Sequence, residues 1–245
     1  MKIRYALLWV FGTCMASEHA HWSYSGATGP AKWSTLEADF STCANGKSQS
    51  PIDIRHEAVH DARLPAIQFA YQPVPLKIVD NGHTIQVDYA PGSFITIGDK
   101  RYELVQFHFH HPSEEKIEGQ GFDMVAHLVH KDAAGKLAVV AVLFAPGAGN
   151  PLLDTLWSNA PREANHESSP GTARINAADL LPKDRSYYSL TGSLTTPPCT
   201  EGVSWFVLRH PRSLSSAQLE VFARRYPMNA RPVQPLNGRE ISASR

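Results

Sequence analysis

Three histidines in this chain are spaced so that they could hold one metal ion. His108 and His110 stand two apart in the run Gln106-Phe107-His108-Phe109-His110, and His127 follows seventeen residues later in Val125-Ala126-His127-Leu128-Val129-His130. Side chains alternate across a strand, so Leu104, Gln106, His108 and His110 are expected on one face, with Val105, Phe107 and Phe109 on the other. In the second run, Val125, His127 and Val129 share a face, and Ala126, Leu128 and His130 share its opposite. Antiparallel pairing of the two strands brings His127 opposite the His108/His110 pair. A single strand histidine is ordinarily a hydrogen-bonded core or surface residue; the convergence of three carries the metal reading. Three neutral imidazoles, with no thiolate and no fourth protein ligand, leave one tetrahedral position open, as in a catalytic rather than a structural zinc centre. One Zn2+ per chain is the expected cofactor.

The elements that must position these groups read mostly as strand and loop. Residues 76–79, 84–87, 94–97 and 137–144 are short, β-branched segments separated by Gly, Pro, Asn or Asp, and they predict a meander. Residues 151–159 predict one short helix, and residues 216–224, introduced by Ser213 and Ser215, predict another with capping residues at its start. Eighteen prolines, among them Pro197-Pro198, Pro232 and Pro235, imply ordered loops packed over a sheet. One mixed, β-rich domain follows.

Composition narrows the partners. The chain has 245 residues, 42% of them hydrophobic, enough to bury a sizeable core as one domain. Its 23 basic and 23 acidic residues cancel and form no long blocks, which argues against nucleic acid and against an anionic membrane and leaves a small molecule as the expected substrate. At the start, Lys2 and Arg4 precede an apolar run from Tyr5 to Gly12, then small residues, the layout of a secretory signal peptide over 1–16. That run is too short to span a bilayer. Cys14 leaves a lipoprotein as the alternative, although Phe11-Gly12-Thr13 fits a lipidation site poorly. Cleavage after Ala16 removes Cys14 and leaves Cys43 and Cys199, an even pair expected to form a disulfide in an oxidising compartment.

A family resemblance follows from these motifs taken in order. Gln49-Ser50-Pro51, Asn81-Gly82-His83, the two histidine runs, Gly192-Ser193-Leu194-Thr195-Thr196-Pro197-Pro198 and Arg231-Pro232-Val233-Gln234-Pro235-Leu236 together resemble the α-class carbonic anhydrases. The resemblance runs from about residue 21 to residue 239, and the domain is taken as 21–245. It implies a mainly β (α+β) single domain: a large, twisted, mostly antiparallel central sheet with a few short peripheral helices and a conical cavity reaching the metal. It also implies an exported bacterial protein of the periplasm that interconverts carbon dioxide and bicarbonate. A side activity on esters is a further implication.

The same resemblance assigns roles. His108, His110 and His127 match the zinc ligands. Thr195 matches the hydroxyl that donates to a buried carboxylate, here Glu114, and so orients the attacking oxygen. His83 matches the proton shuttle, an imidazole whose ordinary pKa near 6.5 suits transfer to buffer. Tyr24 and Asn81 match residues that order the proton-carrying waters. Val129, Val139, Leu194, Val203 and Trp205 match the apolar wall against which carbon dioxide rests, and Thr196 is expected to bind substrate beside them. Gln106 matches the partner that holds His108 through its other ring nitrogen.

Three positions depart from the family's usual pattern: Val125 where a glutamate is common, Glu115 where a histidine is common, and Leu190 where a tyrosine is common. Val125 cannot accept a proton from His127. Glu115 is therefore expected to take that role at Nδ1, provided the chain bends locally so that it and Glu114 both turn inward; the alternative is a solvated surface glutamate. Two other readings remain at this stage. His108-x-His110-x-x-x-Glu114 also fits the first metal motif of cupins, although that leaves the runs at 194–198 and 231–236 unexplained. A non-enzymatic binding module on the same scaffold is the other, against which the full ligand set argues.

Overall fold

The computed structural model describes residues 20–244. The expected signal peptide, with Cys14, lies outside the described residues.

The strand Leu137–Pro146 organises the sheet. Its residues are apolar on both faces, the pattern of a strand covered on both sides. Ala138, Val140, Val142 and Phe144 join one core cluster, while Val139, Ala141 and Leu143 join a second on the opposite face. This strand pairs antiparallel with Met124–Lys131 and parallel with Glu201–Leu208. Among the described residues the sheet has 13 strands, and its main path runs His166–Ser168, Lys77–Asp80, Ile85–Asp88, Lys100–His110, Met124–Lys131, Leu137–Pro146, Glu201–Leu208, Tyr187–Ser193, Ile241–Ala243, Val59–Asp61. Most neighbours are antiparallel. Parallel pairs occur where Leu137–Pro146 meets Glu201–Leu208 and Arg212–Leu214, and where Ile241–Ala243 meets Val59–Asp61, so the sheet is mixed.

Two helices close the first core. Pro151–Asn159 starts with proline at its first position and with Asn150 Oδ1 accepting from Leu152 N at 3.0 Å. Ser216–Arg225 starts with a capping box in which Ser215 and Gln218 satisfy each other's backbone N–H. Leu152, Leu153, Leu156 and Phe222 from these helices bury against the sheet. The other face carries Val125, Val129, Val203 and Trp205, and it is the face on which the histidines converge.

One part of the expected alternation fails. Val129 lies opposite Gln106 but His130 lies opposite Leu104, so Val105 is an extra residue, a bulge in Lys100–His110. The bulge turns Leu104 into the first core beside Phe107 and leaves Val105 41% exposed, the reverse of strict period two. Gln106, His108 and His110, beyond the bulge, keep the common face.

Candidate metal centre

His127 lies directly across from His108 in the antiparallel register, and Val125 lies across from His110. One nitrogen from each of His108, His110 and His127 falls within 4.8 Å of the other two. The second nitrogen of every ring is occupied. His108 Nδ1 donates to Gln106 Oε1 at 2.8 Å, His110 Nδ1 donates to the Asn229 carbonyl at 2.7 Å, and His127 Nε2 donates to Glu115 Oε1 at 3.0 Å. Each acceptor fixes a tautomer, leaving lone pairs on His108 Nε2, His110 Nε2 and His127 Nδ1. His110 Nε2 is buried with no hydrogen-bond partner. A buried acceptor without a donor is costly, and a cation held by the three nitrogens would satisfy it. The donor set therefore fits a zinc ion.

The protonation states of His108 and His110 agree with this, whereas His127 favours its charged form while no cation is bound. Burial pulls the His108 pKa down to about 3 and the His110 pKa well below its ordinary value, and the nearby imidazoles push both the same way. Burial also opposes a charged His127. The charge and hydrogen bond of Glu115, joined by the charge of Glu114, outweigh that and raise its pKa.

The two glutamates approach from a turn. After His110 the chain leaves the strand, and bends over residues 111–115 replace period two. Ser113 Oγ closes the turn by donating to the Glu115 carbonyl at 2.8 Å. Both carboxylates then point inward, each glutamate only 2% exposed. Glu114 Oε1 accepts from Arg231 N at 2.7 Å, and Glu114 Oε2 lies 3.8 Å from His127 Nδ1. Burial raises the Glu114 pKa to about 7; the Glu115 charge adds to this, and His127, the Thr195 hydroxyl and Arg231 N oppose it. Thr195 is buried and its hydroxyl favours the ionised form of Glu114, whose Oε2 has no hydrogen-bond partner. Glu115 meets His127 at Nε2 rather than at the expected Nδ1. The reason is directional: the turn brings Glu115 to the side of the ring away from Glu114, leaving Nδ1 to face the cluster.

A cavity of about 130 Å³ opens onto His108 and His110 and is lined also by Trp22, Tyr24, Asn81, His83, Thr84, Gln86, Gln106 and Thr196. His83 sits at the tip of the Asp80-Asn81-Gly82-His83 turn, where Gly82 has φ +81° and Asn81 Oδ1 accepts from both His83 N and Thr84 N at 3.0 Å. Its ring lies flat on Trp22, with centroids 3.7 Å apart and planes 7° from parallel. Burial lowers the His83 pKa, and His21, 6.2 Å away between centroids, lowers it further. Val129, Val139, Val203 and Trp205 bury in one cluster, with Leu194 packed against it. Trp205 meets His127 edge-on at 4.9 Å between centroids.

Sequence reasoning passed over Trp22 and Asn229, and it treated Arg231 only as part of a motif. Asn229 joins one imidazole and three backbone points: its carbonyl accepts from His110 Nδ1, its Oδ1 accepts from His111 N at 2.7 Å, and its Nδ2 donates to His83 O and Phe109 O at 3.0 Å. The buried Arg231 guanidinium donates to Gln49 Oε1, Ser50 O and Cys43 O at 2.8 to 2.9 Å. Cys43 and Cys199 form a disulfide. No helix of the described residues is long and apolar enough to cross a membrane.

A mixed central sheet, three imidazoles with fixed tautomers and a buried glutamate beside a threonine define a metalloenzyme-type centre in a β-rich scaffold. The family model for eukaryotic-type carbonic anhydrase matches residues 28–245. The chain belongs to the α-carbonic anhydrase family. It is 42% identical over 247 residues to a carbonic anhydrase of Pectobacterium carotovorum, covering 98% of this chain and 99% of that one. A carbonic anhydrase of Neisseria gonorrhoeae is 43% identical, covering 94% of this chain and 91% of its own. Among solved structures, the α-carbonic anhydrase of Thermovibrio ammonificans in complex with the inhibitor sulfanilamide superposes with a TM-score of 0.88 at 42% identity, covering 91% of this chain and 99% of that one. Family membership sets aside the cupin alternative.

Proposed function

We propose that this chain is a zinc-dependent carbonic anhydrase that interconverts carbon dioxide and bicarbonate. The observation that carries this reading is the trio of open imidazole nitrogens, within 4.8 Å of one another and each ring fixed from behind by an acceptor, with His108 and His110 lining one cavity. His108, His110 and His127 would hold one zinc ion per chain. Bound there, zinc supplies Lewis acidity and lowers the pKa of water from 15.7 to about 7, an effect for which carbonic anhydrase is itself the standard illustration.

The remaining chemistry falls to the protein's own groups. Glu114, anchored by Arg231 N, is an acceptor when ionised, so the Thr195 hydroxyl turns its proton toward the carboxylate and its lone pairs toward the cavity. That orients the attacking water. Val129, Val139, Leu194, Val203 and Trp205 provide an apolar wall that holds carbon dioxide without competing for the nucleophile's proton, and Thr196 lines the cavity above it. Each turnover leaves one proton to remove. His83, half-buried at the cavity, accepts it through water and passes it to buffer, and Tyr24 and Asn81 flank that route. Gln106 and Glu115 hold two of the ligand rings.

The disulfide supports an exported protein, with 1–16 as its signal peptide and the periplasm as its destination. A stopped-flow hydration assay with and without a zinc chelator tests the main reading. Fast hydration that the chelator abolishes and added zinc restores is the expected result; hydration indifferent to the chelator would overturn it.

A further inference from the structure

Three residues from the tip of the shuttle turn, a carboxylate is buried completely. Asp80 ends the strand Lys77–Asp80 and has no exposed surface. A buried charge persists only with partners, and Asp80 has three. Its Oδ1 accepts from Gly82 N at 3.0 Å and from the Tyr226 hydroxyl, and its Oδ2 lies 3.1 Å from Arg225 Nε. Arg225 is the last residue of the helix Ser216–Arg225, and Tyr226 is its C-cap.

The placement matters more than the energy. Without Asp80, the Asn81-Gly82-His83 turn would be held by its own short bonds, by Asn229 Nδ2 on the His83 carbonyl and by the stacking of the His83 ring on Trp22. With Asp80, the turn is tied at its base to Arg225 and Tyr226 and at its tip to Asn229. One stretch, residues 225–229, thus grips the turn at both ends, and through the Asn229 carbonyl on His110 Nδ1 it also grips the metal cluster. The shuttle and the metal ligands share a single frame. Gly82, although exposed, has the Asn165 side chain against it: a Cβ there would meet Asn165 Oδ1 at 3.0 Å. The turn is held from several sides, although its sequence alone would make an ordinary exposed hairpin tip.

We propose that Asp80, Tyr226 and Arg225 form a buried brace that positions His83 for proton export. The inference rests on the shuttle reading of His83. None of the three touches the reacting atoms; they are positioning residues. Their effect belongs to the export of the proton, which follows carbon dioxide conversion and can be measured apart from it.

The test uses Tyr226→Phe, which removes one hydroxyl from a buried ring, with Asp80→Asn as the second variant and His83→Ala and the Tyr226→Phe/His83→Ala double variant alongside. Zinc-loaded protein is assayed at low buffer and again with added imidazole, after circular dichroism shows each variant folded. Tyr226→Phe is expected to lower kcat at low buffer about three- to tenfold, less than the roughly 100-fold that an ångström of misplacement can cost. Its kcat/KM should stay within about twofold of the parent, and imidazole should recover most of kcat. The double variant should be no slower than His83→Ala, because the brace acts only through that ring. Parental low-buffer kcat in Tyr226→Phe, with His83→Ala impaired, would refute the brace alone. A joint fall of kcat and kcat/KM that imidazole does not relieve would show a merely structural role. Parental behaviour of His83→Ala would remove the shuttle reading and the brace with it.

Discussion

Glu115 Oε1 lies 3.0 Å from His127 Nε2, while the residue two before His127 on the same strand face is the fully buried Val125. The carboxylate that holds the third ligand ring thus comes from the turn after His110 and not from the ligand's own strand. Val125 joins the apolar cluster, and Glu115 supplies the acceptor for the His127 ring in its place. Glu115→Gln keeps the shape but removes the charge. We expect zinc affinity to fall by about 10- to 100-fold, the usual effect of losing a carboxylate behind a ligating imidazole. The rate of zinc loss to a chelator measures it, and a variant that releases zinc at the parental rate would leave Glu115 without this role.

Zinc affinity should also depend on pH in a limited way. Burial keeps His108 and His110 neutral down to low pH, so neither competes for protons near neutrality. His127, with its raised pKa, and Glu114, at about 7, are the groups that do. Below those pKa values both carry protons that zinc binding must displace, so affinity falls as pH falls. At most about two protons are involved, so the change is no steeper than about 100-fold per pH unit. Competition titrations across pH 5.5 to 8 check this, and a steeper dependence would mean that a second imidazole, His108 or His110, is also protonated in the metal-free protein.

For His83 the sign of the pH effect is likewise fixed. Its pKa is lowered by burial first and by His21 second. Below its pKa the ring is protonated and cannot accept another proton. Low-buffer turnover should therefore fall as pH drops through a midpoint below 6.5. His21→Ala removes the repulsion and should move that midpoint upward. A pH–rate profile of the two proteins at low buffer decides it, and an unmoved or lowered midpoint counts against the coupling.

The convergence of the three histidines was legible from the sequence because strand periodicity is local: alternation alone puts His108 and His110 on one face and His127 on its partner's matching face. Val105 was not, since a bulge is a mismatch between two strands and leaves no mark within either. The helix Pro151–Asn159 was readable from its proline start, and the second helix from its serine cap; its end at Arg225 lies one residue beyond the expected 224. Long-range contacts stayed hidden. Asn229 reaches His110 across 119 residues through its backbone carbonyl, which every residue type possesses. Trp22 on His83 is a contact between two segments that nothing local connects. Glu115 marks the border: the missing acceptor at Val125 pointed to it, but the ring nitrogen it meets depends on the turn over residues 111–115.

The Cys43–Cys199 disulfide closes the loop on which Thr195 and Thr196 sit. Cys199 N donates to Thr196 O at 2.8 Å, and Gln49 Nε2 donates to Cys199 O at 3.1 Å, so the far end of that loop is tied to the segment beside Cys43. The cross-link spans 156 residues, for which chain entropy sets a ceiling of about 5 kcal/mol. Converting both cysteines to serine should cost about 2–5 kcal/mol in urea unfolding. Activity should suffer more than metal content: the three histidines proposed to hold zinc come from the sheet and keep their neighbours, whereas Thr195 loses the anchor four residues beyond it. The double variant is therefore expected to retain close to one zinc per chain and to show lowered kcat/KM. Alkylation of the native, unreduced protein should label neither cysteine. Equal stability of variant and parent, or a loss of zinc that accounts for all the lost activity, would show that the disulfide does not hold the Thr195 loop in the manner described.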